Sequence, residues 1–292
     1  MTFAINEGDT LIISDTLYTI MSLAYGEFEL AKKYYYGDSI TPQDYDKAFE
    51  VFYNIRDNEI PEVYYYIAEC YYYGNGVAQD YEQSVEWHTK AAEADVAESQ
   101  YVLANCYFNA IGVEEDKSEA VKWYRKAAEQ DVVEAQNILA NCYYNAVGVE
   151  ENKSEAVKWY QKAAEKGVVE AQTILANCYY YGNGTKMNYG KAAEWYQKAA
   201  EQGVSEAQYS IGRCYFLGQG VENDYISAIE WYLKADAQGN AKAQNDLGVC
   251  YLNGYGVEQD YAVAAEHFSK AREQDNIESH NYLGDCYYNG QG

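Results

Sequence analysis

Positive charge is scarce in this chain: 21 Lys and Arg face 46 Asp and Glu, a formal balance of −25. A groove for nucleic acid needs a basic stripe to neutralise phosphates, so that class of function is disfavoured. Docking on anionic lipid is disfavoured for the same reason. Long apolar runs are missing too. No segment approaches the roughly 18 consecutive apolar residues of a membrane span. The N-terminal stretch MTFAINEGDTLIISDTLYTIMSLAYG has neither a basic start nor a cleavage motif, so it does not read as an ordinary secretory signal. Proline is nearly absent, with 2 residues, while the chain holds 35 Tyr, 7 Phe and 5 Trp. So much aromatic surface argues against disorder, even at this charge. These exclusions leave an acidic, soluble protein with a cytoplasmic setting expected.

Histidine is also rare. His88, His267 and His280 are scattered, and no CxxC pair occurs, so no metal site is expected. GxSxG, HExxH and Cys–His arrangements are absent. Carboxylate pairs such as Glu150 and Glu151 recur on turn segments, with no apolar pocket to raise one pKa for acid–base work. The run GNGTKMNYG at 182–190 lacks Walker spacing and falls at the turn found in every repeat. No catalytic residue and no cofactor are expected.

What the chain does have is a period. Cys70, Cys106, Cys142, Cys178, Cys214, Cys250 and Cys286 are each 36 residues apart, as are Trp87, Trp123, Trp159, Trp195 and Trp231. A fixed period of this size is the mark of a repeat solenoid. Residues 98–133 and 134–169 differ at nine of 36 positions, which points to a recent duplication.

Each unit reads as two helices. In the first, Ala135, Ile138, Leu139, Cys142 and Tyr143 stand at i, i+3, i+4, i+7 and i+8, an amphipathic stripe. A glycine-bearing turn follows, as at Gly74 and Gly76. An Asp or Asn then stands where a helix N-cap belongs: Asp80, Asp116, Asn152, Asn188, Asp224 and Asp260. Glu119 and Glu155, three residues on, complete capping-box patterns. The second helix carries Ala120, Trp123, Tyr124 and Ala127 on its buried stripe. Eight first helices are expected near 27–36, 63–73, 99–109, 135–145, 171–181, 207–217, 243–253 and 279–289, with seven second helices between them. Departures occur: Ala110 and Ala146 replace the first turn glycine, Val51 and His267 replace the Trp, and the first turn is longer by one residue around Pro42.

The pattern A-x-x-x-L-G-x-x-Y-x-x-G-x-G-V, then D-x-x-x-A-x-x-W-x-x-K-A-A-x-x-G, resembles the Sel-one-like repeat of the tetratricopeptide-repeat superfamily. The segment 243–271, AQNDLGVCYLNGYGVEQDYAVAAEHFSKA, carries most of it. The resemblance covers residues 26–292 and implies an all-α, right-handed superhelical solenoid of helix–turn–helix repeats, seven full repeats plus a terminal first helix. Residues 1–25 fit no repeat and are expected to form a short N-terminal capping segment. The last first-helix, with Leu283, Cys286 and Tyr287, is expected to leave an edge that is open through truncation or suited to end-to-end self-association.

The seven cysteines need a separate account. Equivalent positions on stacked helices lie roughly 8–10 Å apart, beyond the roughly 4.4–6.8 Å Cα separation of a disulfide. Some secreted members of the family staple each repeat with a Cys pair, and this chain lacks the second member throughout. The thiols are therefore expected to be reduced core residues, in a reducing compartment.

The resemblance also implies a concave face built from first helices, at fixed positions after the small residue that opens each one. Position six places Asn105, Asn141, Asn177 and Arg213 there, and three successive Asn form a ladder suited to the backbone of an extended peptide. Position two adds Tyr65, Tyr101 and Tyr209. Position nine adds Tyr72, Phe108, Tyr144, Tyr180 and Phe216. The competing account of the position-nine rings is packing between repeats, with the hydroxyl left wet. The expected function is a non-enzymatic scaffold binding a protein or extended peptide, with a basic partner favoured by the charge. An immunity-type inhibitor of a basic toxin or nuclease is the alternative.

Overall fold

The computed structural model of the chain describes residues 7–288. Every described element is a helix, and each repeat supplies two. The first helices are α1 (Glu7–Tyr36), α3 (Pro61–Tyr73), α5 (Ala97–Asn109), α7 (Val133–Asn145), α9 (Val169–Tyr181), α11 (Ser205–Leu217), α13 (Ala241–Asn253) and α15 (Ile277–Tyr288). The second helices are α2 (Tyr45–Asn54), α4 (Tyr81–Glu93), α6 (Lys117–Glu129), α8 (Lys153–Glu165), α10 (Tyr189–Glu201), α12 (Tyr225–Asp236) and α14 (Tyr261–Arg272). Both expected series are present, and most first helices start two residues before the expected position. The segment expected to cap the first unit runs without a break into that unit's first helix, because α1 is one 30-residue helix. Residues 1–6 lie outside the described residues.

The chain divides into two compact units. One reaches Cys142 and includes Val147–Glu150; the other takes Tyr143–Ala146 and continues from Glu151. Within each, consecutive helices pack on one another, α1 through α6 in the first and α8 through α15 in the second. This is the arrangement of an all-α repeat solenoid.

The second helices begin where the sequence placed their caps. The Asp116 carboxylate accepts from the Glu119 amide at 2.9 Å, and the Asn152 side chain accepts from the Glu155 amide at 3.0 Å. The capping-box half of the expectation fails. Asp116 donates its own N–H to the Tyr107 carbonyl at 3.0 Å, and Asn152 donates to Tyr143 at 2.9 Å. With those donors occupied, Glu119 and Glu155 turn outward to Lys122 and Lys158, each at 2.7 Å.

The core is narrow and built from small and flat residues. Ala120, Tyr124, Ala127 and Ala128 on α6 are all buried, and the Trp123 ring packs beside them. Lysine covers the outer face of each Trp from one turn along: Lys126 Nζ lies 4.0 Å from the Trp123 ring and Lys234 Nζ 3.6 Å from Trp231. The cysteines are buried and unbridged, and burial pushes the Cys106 thiol up to about 11 and Cys70 to about 12. His267 stacks on Tyr251 at 5.7 Å in its Trp slot, and His88 is fully buried against Ser99. Both act as packing substitutions. At the last helix, Leu283 and Cys286 are buried against α14, while the side chain of Tyr287 lies outside the described residues.

The turn departures turn out to be tolerated without a change of turn. Ala110 adopts φ 57°, ψ 44°, the left-handed geometry of Gly74 at φ 72°, ψ 32°. Its N–H still closes on the Cys106 carbonyl. An L-residue in this region costs about 1–2 kcal/mol, so Ala110→Gly is expected to stabilise the protein by about 1 kcal/mol, read as a higher midpoint in urea.

A hydrogen-bonded ladder that sequence reasoning passed over runs beside the core. Gln100, Gln136, Gln172, Gln208 and Gln244 are buried on successive first helices. Gln172 Nε2 donates to the Ala164 carbonyl at 3.1 Å, and Gln208 Nε2 to the Ala200 carbonyl at 3.2 Å. Their side-chain oxygens accept from just beyond the second helix of the same repeat, Gln202 to Gln172 at 2.8 Å and Gln238 to Gln208 at 2.9 Å, while the amide bonds to Ala164 and Ala200 cross to the preceding repeat. The AQ dipeptide recurring at 36 residues was the available signal.

Candidate functional site

The first helices present two clefts, one in each compact unit. In the first unit, Tyr65, Tyr101 and Val102 line a cleft of about 470 Å³, with Glu98, Val133 and Glu134 at its margin. Tyr65 and Tyr101 are the position-two residues expected there. Both are half-buried, each packing against a neighbour: Tyr65 on Tyr66 with centroids 5.2 Å apart, Tyr101 on Tyr124 at 6.1 Å. Burial raises the Tyr65 hydroxyl well above the usual phenol range.

In the second unit a cleft of about 500 Å³ gathers four expected residues, Asn177, Tyr180, Tyr209 and Arg213. It also takes in Lys242 and Asp246, which sequence reasoning missed. Lys242 pairs with Glu206 at 2.9 Å. Arg213 sits over the Tyr209 ring, 5.9 Å from its centroid. Asp246 accepts from Asn245 Nδ2 at 3.2 Å and is hydrogen-bonded with the Tyr209 hydroxyl. Burial raises the Asp246 carboxyl above its ordinary range, opposed by its hydrogen bonds and by Arg213. A signal for Asp246 did exist. Its position reads Val102, Ile138 and Ile174 in earlier repeats, then Ser210 and Asp246, so an apolar slot becomes polar where the cleft lies.

The Asn ladder has an internal task. Asn105 Oδ1 accepts the Tyr124 hydroxyl at 2.6 Å, and Asn177 Oδ1 accepts the Tyr196 hydroxyl. Each bond joins a first helix to the second helix of the same repeat and satisfies a buried phenol. Asn177 also lines the second cleft. Asn141 is half-buried at the equivalent place.

The position-nine rings divide between face and packing. Tyr72 meets Tyr81 at 5.3 Å, Phe108 meets Tyr124 at 6.1 Å, and Tyr144 meets Tyr160 at 6.1 Å. Tyr180 contacts Tyr189 at 5.1 Å and donates its hydroxyl to Gln219 of the next repeat at 2.5 Å. Phe216 lies 5.1 Å from Tyr225 and 5.6 Å from Tyr255. All five are half-buried and hold helix pairs together. Of these, Tyr180 also lines the second cleft.

Among the described residues, no group of three or more His, Cys, Asp or Glu is placed to hold a metal ion. Among the same residues, no helix is long and apolar enough to cross a membrane.

Comparison with known proteins places these features in a family. The Sel1 repeat profile matches eight times, over residues 24–50, 61–96, 97–132, 133–168, 169–204, 205–240, 241–276 and 277–292. A protective antigen of uropathogenic Escherichia coli displaying an SLR fold is 32% identical, with a TM-score of 0.72, over 94% of this chain. This chain spans 59% of that protein's length. A Sel1 repeat protein of Oxalobacter formigenes is 30% identical with a TM-score of 0.66, covering 86% of this chain and 99% of its own. No curated protein sequence matches the chain. Proteins of this repeat class generally mediate protein–protein interactions, and the fold is typically a non-catalytic scaffold.

Proposed function

Because the chain belongs to the Sel1 repeat family, we propose that it is a scaffold whose first-helix face holds a basic, extended segment of a partner protein. The observation that carries this reading is the make-up of the first cleft, where the Tyr65 and Tyr101 rings stand beside Glu98 and Glu134. Tyrosine supplies broad contact area at low entropy cost, and carboxylates at the rim favour lysine or arginine side chains. A formal charge of −25 adds long-range attraction for such a partner. A dedicated inhibitor of a basic toxin would use the same chemistry with a single client. The buried thiols favour a reducing compartment such as the cytoplasm.

The test uses fluorescein-labelled ten-residue peptides of Lys/Ser, Glu/Ser and Gly/Ser, read by polarisation. The Lys/Ser peptide is expected to bind best, and several-fold more weakly at 500 mM than at 50 mM salt. Tyr65→Ser with Tyr101→Ser is expected to weaken it at least tenfold while helical content is retained. Equal binding of all three peptides, or binding indifferent to both substitutions, would overturn the proposal.

A further inference from the structure

One repeat of the first unit departs from the Asn–Tyr pairing of its neighbours. Where position six is Asn, as at 105 and 177, the tyrosine of the following second helix donates its buried hydroxyl to that Asn. On α3 the same slot holds Glu69, and the matching slot on α4 holds His88 in place of tyrosine. His88 is fully buried, with Nδ1 3.2 Å from the Ser99 hydroxyl. Its Nε2 is aimed at the Glu69 carboxylate, 3.5 Å from Oε1. That approach is too poor for a hydrogen bond, so Nε2 has no hydrogen-bond partner among the described residues.

Glu69 is a charge without a cation. Its side chain is only 15% exposed, and taking a carboxylate out of water unpaired is costly. Among the described residues, no lysine or arginine pairs with it. Lys32, at position six of the preceding repeat, turns to Glu29 at 2.5 Å and lies over the Phe28 ring instead. What surrounds the carboxylate is aromatic. Tyr65, Tyr72 and Tyr73 stand four residues before Glu69 and three and four after it, on the same face of α3. Tyr35 joins them from α1. Burial above all, and with it the charge of Glu69, raises the hydroxyls of all four. They meet a ligand as neutral phenols, with ring faces for a cation and oxygens that accept an N–H.

Oε1 faces the imidazole, so Oε2 is the oxygen left for a ligand. A guanidinium fork is best met by both oxygens of one carboxylate. An ammonium needs one strong acceptor and can give its other protons to phenol oxygens. We propose that Glu69 anchors one lysine side chain of the bound segment, its ammonium on Oε2 and ringed by Tyr35, Tyr65, Tyr72 and Tyr73. This rests on the scaffold reading above and adds a requirement to it. General acidity attracts lysine and arginine alike, whereas this anchor prefers lysine.

Three ten-residue probes separate the outcomes: Lys/Ser, Arg/Ser and acetyl-Lys/Ser, each with fluorescein on the N-terminus so that side chains supply the only amines. The wild-type chain is expected to bind Lys/Ser about fivefold tighter than Arg/Ser and about tenfold tighter than acetyl-Lys/Ser. Glu69→Gln is expected to weaken Lys/Ser about tenfold and to bring it level with Arg/Ser. Glu98→Gln, at the rim of the first cleft, is expected to weaken both alike and leave their ratio unchanged. Glu69→Asn, which copies the residue of the next three repeats, is a second variant with the same expected loss of preference. Both position-69 variants remove a part-buried charge without a cation, so they are expected to melt at or above the wild-type temperature. A purely structural Glu69–His88 contact would give the opposite sign. If Arg/Ser binds the wild-type chain as tightly as Lys/Ser, or the preference survives both variants, or both melt lower, the inference is overturned and the basic-segment reading stands. If Lys/Ser binds no better than Gly/Ser, the scaffold reading falls and takes the inference with it.

Discussion

Gly220→Ala is expected to destabilise the protein by about 3 kcal/mol or more. A Cβ at this position would lie 2.0 Å from the Tyr189 carbonyl oxygen and 2.3 Å from its carbonyl carbon. Those atoms belong to the backbone at the start of α10, so no side chain can swing aside. The residue also holds φ 81°, where an L-residue is strained before any neighbour is counted. Gly203→Ala is the informative control. Gly203 has φ 90°, but a Cβ there meets nothing within 4 Å, so only the backbone term of about 1 kcal/mol applies. Urea denaturation of both variants, followed by circular dichroism, separates the two contributions. Equal midpoints for the two would mean that the turn does not seat against the preceding repeat as described.

The second large effect is expected at the glutamine ladder. Gln208→Met keeps most of the side-chain volume but removes the donor to the Ala200 carbonyl and the acceptor for Gln238. One lost bond crosses to the preceding repeat and the other ties together the two helices of one repeat, and both are buried or part-buried, so the expected cost is about 2 kcal/mol. Gln238 also donates to the Gly203 carbonyl at 3.0 Å, so Gln238→Met alone is expected to cost less. A double-mutant cycle of the two should show coupling of about 0.5–1 kcal/mol. Strict additivity would remove the ladder from the account of how neighbouring repeats adhere. Because a solenoid's stability is the sum of its repeats and nearest-neighbour interfaces, this junction is where a single amide acts on cooperativity.

These two sites differ in how readable they were. The turn glycines stood out at once, because few other residues accept positive φ and they recur every 36 residues. Their close seating on the previous repeat was not readable, since the carbonyl they meet lies about 31 residues back in sequence and is set by stacking. The glutamines recur just as regularly, yet a polar residue beside an alanine stripe reads as the outer edge of an amphipathic helix. Only packing shows that edge turned inward against the preceding loop. The capping boxes failed for a related reason. The pattern concerns one turn, whereas the Asp116 N–H had already been taken by Tyr107 in the preceding helix.

The expected face residues divide along the same line. Tyr65, Tyr101, Asn177, Tyr180, Tyr209 and Arg213 do line the clefts. Tyr72, Phe108, Tyr144 and Phe216 are mainly held by rings of the same or the adjoining repeat. A tyrosine in a repeated slot can serve packing, recognition or both, and its period is the same in each case.

By itself, the sequence determined the period, the helix pairs, the caps and the core stripe, because each depends on local conformational preference and on apolar spacing within one helix. The acidity and the scarcity of cations were equally local facts, and they fixed the class of partner worth testing. Tertiary structure alone decided which polar groups were already spent. Asn105 and Asn177 hold tyrosine hydroxyls, the glutamines bridge repeats, and the buried Tyr232 hydroxyl finds no partner among the described residues. Hydrogen-bond saturation depends on atoms brought together from 8 to 40 residues apart. A repeat pattern records that a residue is kept in its slot, and only the fold shows which of its bonds remain to be made.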